Sequence, residues 1–303
     1  MRKEFSACIE KIAREDQRII FLTGDLGFMA LENVRDAMGN RFINVGVSEQ
    51  NMISVAAGLA AEGLIPVCYS IAPFAVFRPA EQIRVDVCLH NMNVKIVGNG
   101  GGYGYGIMGP THHAIEDIAV LSSFQNMHCF VPFCNEDVEN TVHAMFEYAG
   151  PSYLRLGFGK KQDTTIVPSF DTFRKISEGN KITVAALGPL TLNVCNAIND
   201  SGLQNDVDLF TISRIPVVRL DEKFAESIKK TKRLLIVEEH VRRGGLGENL
   251  GILILTANIG CAVKHHFASG YPNGLYGSQD YHQKINHLDV NSMADSIITF
   301  INE

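Results

Sequence analysis

The stretch that decides the fold is NVGVSEQNMISVAAGLAAEG, residues 44–63. A short run typical of a β-strand, residues 41–46, leads directly into a helical pattern of small apolar residues, 50–62. One carboxylate, Glu49, stands at the junction. A buried strand that passes straight into an apolar helix is the repeating unit of a parallel sheet covered by helices.

The same alternation continues along the chain. It predicts strands at residues 18–23, 41–46, 65–71, 94–98, 128–132 and 152–156, and helices at 31–38, 50–62, 80–90, 114–124 and 136–149. Polar residues rich in Gly and Pro interrupt the pattern at 157–180, and a second, smaller set of strands and helices follows. We predict an α/β protein with a doubly wound parallel sheet (1–160), a linker (161–180) and a smaller α/β domain (181–303).

Composition excludes several classes of protein. The 303 residues include 7 scattered cysteines without metal-site spacing, which predicts buried free thiols. The formal charge of −6 gives no reason to expect a nucleic acid or an anionic membrane as partner. The sequence contains no apolar run long enough to span a bilayer, and the charged N-terminal stretch MRKEFSACIEKIARED lacks a signal-peptide core. We therefore expect a cytoplasmic protein.

Four polar or glycine-rich stretches follow predicted strands. They are TGDLG (23–27), VSEQN (47–51), SIAPFAVFR (70–78) and GNGGGYGYGIMGPTHH (98–113). Ligands of open α/β sheets bind beyond the carboxyl ends of the strands, so we expect these turns to converge on one cleft. The last stretch matches GxGxxG at Gly104–Gly109, but it is not placed in a tight strand-to-helix turn. We interpret it as a loop around a polar site.

Glu49 has two interpretations from the residues alone. An acid in the first turn of a helix is stabilised by the helix dipole, and Ser48 is a suitable N-cap. The helix that follows is apolar nearly all round, however, so we expect it to be buried on all sides, and a buried carboxyl is a candidate acid or base. The pattern does not choose between these interpretations. Of the adjacent His112 and His113, at most one is expected to face the cleft.

Taken together, the chain resembles the C-terminal half of a transketolase: the pyrimidine-binding domain followed by the C-terminal domain. The resemblance is carried, in order, by TGDLG, GVSEQNMISVAAGLAAEG, FAVFRPAEQIR, GPTHHAIEDIA, PSYLRL and VEEHVRRGGLGENL. The related 1-deoxyxylulose-5-phosphate synthases and pyruvate dehydrogenase β subunits share this plan. The resemblance implies a thiamine diphosphate enzyme that transfers a two-carbon ketol unit from a ketose donor to an aldose acceptor.

The resemblance also implies roles for individual residues. Glu49 matches the glutamate that hydrogen-bonds the aminopyrimidine ring of the cofactor and so promotes formation of the reactive carbanion. Phe77 matches the aromatic residue that stacks on the pyrimidine, and Phe74 matches the one that helps to line its pocket. Asp25 and Leu26 match the DL pair near the cofactor.

His112 matches the substrate-facing histidine of the GPTH motif. Other positions depart from the family pattern. A substrate-contacting histidine falls at Gly100, and an aspartate falls at Met108. The serine and arginine that bind a sugar phosphate fall near Met29 and Phe158, with Lys160 or Arg155 as candidate replacements for the arginine. These departures put recognition of a phosphorylated substrate in doubt.

Thiamine diphosphate enzymes hold the diphosphate through Mg²⁺ with a GDG…N segment, and no GDG occurs here. The resemblance therefore implies one subunit of a split transketolase. A partner subunit would carry the diphosphate-binding and Mg²⁺-binding domain, and two chains of each kind would form a heterotetramer. Alternatives are a 1-deoxyxylulose-5-phosphate-synthase-like enzyme, a 2-oxo-acid dehydrogenase β subunit, a non-catalytic scaffold subunit, and an NAD-binding oxidoreductase.

Overall fold

Two sheets organise the molecule, and the computed structural model describes residues 1–27, 30–163 and 165–303. The strands in chain order are β1 Ile19–Thr23, β2 Phe42–Asn44, β3 Ile65–Ile71, β4 Lys95–Asn99, β5 His128–Phe130, β6 Ser152–Leu156, β7 Phe173–Ser177, β8 Ile182–Leu187, β9 Val207–Ile212, β10 Arg214–Ile215, β11 Arg233–Val237 and β12 Ala262–His266.

Seven strands form the first sheet, in the order β10-β5-β6-β4-β3-β1-β2, and all of its pairs are parallel except β10 with β5. Five strands form the second, in the order β12-β11-β8-β9-β7, with only β7 antiparallel. The predicted α/β fold is confirmed. The stretch 161–180, predicted to link the domains, contains strand β7, which the sequence pattern did not predict.

Helices cover the sheets. They are α1 Arg2–Glu15, α2 Glu32–Met38, α3 Glu49–Ala61, α4 Ala72–Val76, α5 Ala80–Gln82, α6 Asp117–Ser122, α7 Val138–Glu147, α8 Leu190–Asp200, α9 Glu222–Thr231, α10 Leu246–Thr256, α11 Gln279–Ile285 and α12 Val290–Asn302. Helix α5 continues into a π-helical segment, Ile83–Leu89. Short 3₁₀ turns lie at Gly39–Arg41, Gly106–Met108 and Asn135–Asp137.

The centre of the first sheet is dry. All five residues of β4 and of β6 are buried, as expected for parallel strands that have helices on both faces. One of them is Lys95, whose ammonium group donates to the carbonyl oxygens of Tyr148 (2.5 Å) and Gly150 (3.1 Å) and to the hydroxyl of Ser152 (3.2 Å).

Helix α3 differs from the prediction in one respect. It was expected to be buried on all sides, but only one face is buried, through residues that include Met52, Ile53 and Ala56. The opposite face, with Ser54, Val55 and Gly58 among its residues, is exposed in the single chain. The apolar character of the whole helix is therefore not explained by packing within this chain.

The two α/β units are joined by more than the chain connection. Strand β10 belongs by sequence to the second unit but pairs with β5 at the edge of the first sheet. The cysteines are free thiols, and all are buried except the partly buried Cys261, as predicted. Within the ranges 1–27, 30–163 and 165–303, no helix combines the length and the apolar character needed to cross a membrane.

Candidate active site

The carboxyl ends of β1, β2, β3 and β4 carry the predicted turns, and their contacts form one continuous site. The turn after β1 reaches the junction after β2 because Gly24 has no side chain. A Cβ built there would lie 3.3 Å from the carbonyl oxygen of Gly46 and 3.8 Å from Oε1 of Glu49. The absence of a side chain at this glycine therefore lets the DL turn approach Glu49.

Glu49 is the first residue of α3 and is 4% exposed. Its carboxylate is not used as a simple helix cap. Nη1 of Arg78 lies 3.0 Å from both carboxylate oxygens, and the hydroxyl of Ser70 lies 3.4 Å from Oε1. Ser48 is the N-cap residue, but its side chain makes no capping hydrogen bond. The carboxylate is thus directed from a buried position towards groups on β3 and on the segment that follows it.

Arg78 connects Glu49 with an aromatic ring. Its guanidinium carbon lies 3.7 Å from the centre of the Phe74 ring, a cation–π contact. The edge of the same ring meets His112, with ring centres 5.1 Å apart. Glu49, Phe74 and His112, which the sequence analysis predicted as site residues, are therefore linked by a chain of direct contacts through Arg78. Phe77, predicted to stack on a ring, is 39% exposed and accessible for that purpose.

Asp25 and Leu26 form a fixed turn beside this group. Asp25 has a positive φ of 59°, a conformation that Asp tolerates better than most residues. The side chain of Asn44 holds the turn: its Oδ1 accepts from the backbone N–H of Asp25 (3.0 Å), and its Nδ2 donates to the Asp25 carboxylate (2.9 Å). Thr23 adds a hydrogen bond from its hydroxyl to the carbonyl oxygen of Leu26 at 3.0 Å.

The two adjacent histidines point in different directions. His112 is partly buried and faces Phe74, and its Nδ1 lies 2.9 Å from the hydroxyl of Thr111. His113 is 2% exposed and contacts the second unit instead, through the hydroxyl of Tyr271 at 2.8 Å. This agrees with the expectation that at most one of the two faces the cleft.

Tyr105 is a site residue that the sequence analysis missed. A Cβ at Gly100, where the family has a histidine, would lie 2.3 Å from the Tyr105 ring, and Gly100 has a positive φ of 76°. The ring of Tyr105 thus fills the space of the missing side chain. Its centre lies 5.8 Å from that of His112, and its hydroxyl accepts from Nδ2 of Asn99 at 2.8 Å. The Gly-rich spacing concealed this substitution, because Tyr105 is five residues along the loop.

Two of the expected replacements in the phosphate site differ in accessibility. Arg155 lies in β6, is 5% exposed and forms an ion pair with Asp117 at 2.9 Å. It is committed to the interior, so the expectation that it could bind a sugar phosphate is wrong. Lys160 and Phe158 are exposed, as is Met108, which stands at the aspartate position. Met29 lies outside the described residues.

Comparison with known proteins identifies the family. A family model described as the transketolase pyrimidine-binding domain matches residues 1–160, and one described as the transketolase C-terminal domain matches residues 171–265. The chain belongs to the transketolase family. Membership of this family implies dependence on thiamine diphosphate.

Individual members support this assignment. The chain is 32% identical over 268 residues to a protein of Actinobacillus succinogenes named as the second of the subunits of an apulose-4-phosphate transketolase, covering 84% of this chain and 83% of that protein. It is 26% identical over 298 residues to a 1-deoxy-D-xylulose-5-phosphate synthase of Clostridium perfringens, covering 96% of this chain but 48% of the synthase. A solved structure titled "Split gene transketolase, inactive beta4 tetramer" is 26% identical, with a TM-score of 0.85 over 99% of this chain and 97% of that one. The chain is therefore a transketolase-like subunit.

The residues present fit the pyrimidine end of thiamine diphosphate. A planar heterocycle with hydrogen-bonding nitrogens needs an aromatic face and a carboxyl group within reach, and Phe74, Phe77 and Glu49 offer them at one sheet edge. For the diphosphate end, the described part of the chain contains no group of three or more His, Cys, Asp or Glu residues placed to hold a metal ion.

Proposed function

We propose that this chain is the catalytic subunit of a split transketolase, which transfers a two-carbon ketol unit from a ketose donor to an aldose acceptor. The observation that carries the proposal is the buried Glu49 carboxylate, in contact through Arg78 with Phe74 and His112. Thiamine diphosphate supplies the nucleophilic carbanion and the electron sink when it is bound. The protein residues supply binding, orientation and proton transfer.

Glu49 is proposed as the residue that shares a proton with the ring nitrogen of the cofactor. Its burial supports this role, because a carboxyl group that faces a neutral heterocycle in a site with little water holds a proton at a defined atom. Phe77 and Phe74 would provide the aromatic surface against the ring, and Asp25 and Leu26 would border it. His112 and Tyr105 would donate hydrogen bonds to sugar hydroxyls on the other side of the cleft.

A partner subunit is proposed to carry the GDG…N segment and Mg²⁺, and two chains of each kind to form a heterotetramer. Three observations support this: the sequence lacks GDG, a relative is named as one of the subunits of a transketolase, and the similar solved structure is titled an inactive β4 tetramer of a split-gene transketolase. The exposed apolar residues on the outer face of α3 are also consistent with burial in an assembly.

The test is reconstitution. The isolated chain should bind thiamine diphosphate with Mg²⁺ weakly in calorimetry and show no ketol transfer, whereas addition of the GDG-bearing partner should restore binding and turnover together. Ketose donors with and without a phosphate group should be compared, since the relative is named for a phosphorylated sugar and Phe158 and Met29 replace the family's phosphate-binding residues. Full activity of the isolated chain would overturn the split-enzyme proposal.

A second candidate is a 1-deoxyxylulose-5-phosphate-synthase-like activity, favoured by the similarity to that family over 96% of the chain. The reconstituted complex distinguishes the two by its donor. Turnover of a 2-oxo acid with release of CO₂, and no reaction of a ketose, would establish the second candidate and exclude the first.

A further inference from the structure

The glycine-rich loop, residues 100–113, carries Tyr105 and His112 but is fixed largely by residues of the second unit. The central contact is made by Glu239, which follows β11 and is 7% exposed. Its Oε1 accepts from the backbone N–H of Tyr103 at 2.6 Å and from Nε2 of Gln279 at 2.9 Å. Its Oε2 accepts from Nε2 of Gln283 at 2.5 Å.

The approach of Glu239 to the loop depends on a glycine. Gly102 has a positive φ of 65°, and a Cβ there would lie 2.3 Å from Oε1 of Glu239. Burial raises the pKa of Glu239, while the N–H groups of Gln283 and Tyr103 oppose that shift by stabilising the carboxylate. The local sequence and the buried acid are therefore matched to each other.

Tyr103 also holds this end of the loop through its side chain. Its ring is stacked on His282 with centres 4.5 Å apart, and its hydroxyl donates to the carbonyl oxygen of Gly270 at 2.7 Å. Both partners belong to the segment 268–286, which we call the C-terminal segment. Tyr103 is fully buried by these contacts.

The other end of the loop is held at His113. Its Nε2 lies 2.8 Å from the carbonyl oxygen of Gly106, so Nε2 carries the proton, and Nδ1 accepts from the hydroxyl of Tyr271 at 2.8 Å. Burial lowers the pKa of His113, which keeps the ring neutral. Tyr105 and His112 thus lie between two points that the C-terminal segment and Glu239 fix.

The neighbours of Glu239 have different contacts. Glu238 accepts from the backbone N–H groups of Leu246 (2.7 Å) and Gly247 (2.9 Å) at the start of α10. His240 accepts at Nε2 from the backbone N–H of Ala119 at 3.1 Å. Of these three consecutive buried side chains, Glu239 is the one that bonds the glycine-rich loop.

We propose that Glu239 is a positioning residue, which with Gln279 and Gln283 sets the place of the glycine-rich loop and hence of His112 and Tyr105 towards the sugar. The proposal rests on the proposed function in so far as those two residues contact the substrate. It assigns a role to the C-terminal domain in the geometry of a site whose cofactor-contacting residues all lie in the first unit.

The experiment uses Glu239→Gln in the complex with the partner subunit. The variant keeps the shape of the side chain but removes its charge and turns one acceptor oxygen into a donor. Hydrogen exchange at the Tyr103 amide should become about tenfold faster, and the KM for the acceptor should rise about tenfold with kcat changed by less than about threefold. The Kd of thiamine diphosphate should stay unchanged, because Glu49, Phe74 and Phe77 lie on other elements.

The matched control is Glu238→Gln, an equally buried neighbour without contact to the loop. It should lower the melting temperature but leave Tyr103 exchange and the acceptor KM unchanged. If Glu239→Gln does not fold, Gln279→Met removes one donor to the same carboxylate and should shift exchange and KM in the same direction. Unchanged exchange at Tyr103, or parallel losses of cofactor affinity and KM, would overturn the proposal. A complex without ketol transfer would disprove the proposed function, while the exchange data would still decide whether Glu239 holds the loop.

Discussion

At the scale of single residues, the site depends on where one carboxylate lies. Glu49 begins a helix, as many acidic residues do, but its two oxygens are directed to Arg78 rather than to the N–H groups of its own first turn. That direction turns a position favourable for capping into one suitable for acid–base work. The helix dipole still favours the charged form at this place, so both interpretations of the sequence describe real features of the residue.

The corresponding prediction concerns Glu49→Gln. An amide of the same shape cannot share a proton with the cofactor ring, so ketol transfer by the reconstituted complex should fall by about 10³-fold. Deuterium exchange into bound thiamine diphosphate, followed by NMR, should fall in parallel, with the melting temperature nearly unchanged. Glu81→Gln, at an exposed carboxylate paired with Arg84 nearby, is the control and should behave as wild type. Near-normal exchange in Glu49→Gln would refute the assigned role.

At the scale of elements, the apolar strands were predictable because burial on both faces demands continuous apolar runs. Strand β7 was missed because its polar sequence, FRKIS, lies at a sheet edge where one side needs no burial. The site residues with sequence motifs were also predictable. Arg78 and Tyr105 were not assigned a role, because their contacts with Glu49 and with the space at Gly100 arise only when separate turns meet in the folded chain.

Strand β4 contains a buried cation whose hydrogen-bond acceptors are neutral. Lys95 is fully buried, and burial lowers its pKa to about 7, far below the value of about 10.4 in the unfolded chain. The unfolded state therefore binds more protons between pH 7 and 10. The free energy of unfolding should rise by up to about 4 kcal/mol across that range, since one pKa unit corresponds to 1.36 kcal/mol.

Urea unfolding of wild type and Lys95→Met at pH 7, 8, 9 and 10 measures this contribution. The advantage of the methionine variant over wild type should be greatest at pH 7 and should shrink as the pH rises, because the methionine has no proton to lose when the chain folds. Lys229→Met, at an exposed position on α9, should show a constant difference from wild type. A difference between Lys95→Met and wild type that does not vary with pH would show that the pKa of Lys95 is the same in the folded and unfolded chain.

At the scale of the whole molecule, the contact between the two units is rich in buried neutral histidines. His113, His240 and His282 lie at or beside it, and burial lowers the pKa of each. A group whose pKa is lowered by folding contributes stability above its unfolded pKa and loses it as the pH falls. The association of the glycine-rich loop with the C-terminal segment should therefore be sensitive to acid.

His282 provides the sharpest form of this prediction. Burial, followed by the nearby His113, lowers its pKa to about 4, and its Nε2 accepts from the backbone N–H of Gly277. With an unfolded pKa near 6.5, the free energy of unfolding should fall by about 2 kcal/mol between pH 7 and pH 5 through this residue alone. His282→Gln keeps an acceptor for Gly277 but cannot be protonated in this range, so its stability should fall less steeply over the same interval. His90→Gln, at an exposed position, should retain the wild-type slope when unfolding is followed by circular dichroism at each pH. Equal slopes for wild type and His282→Gln would mean that the acid sensitivity of the contact arises elsewhere.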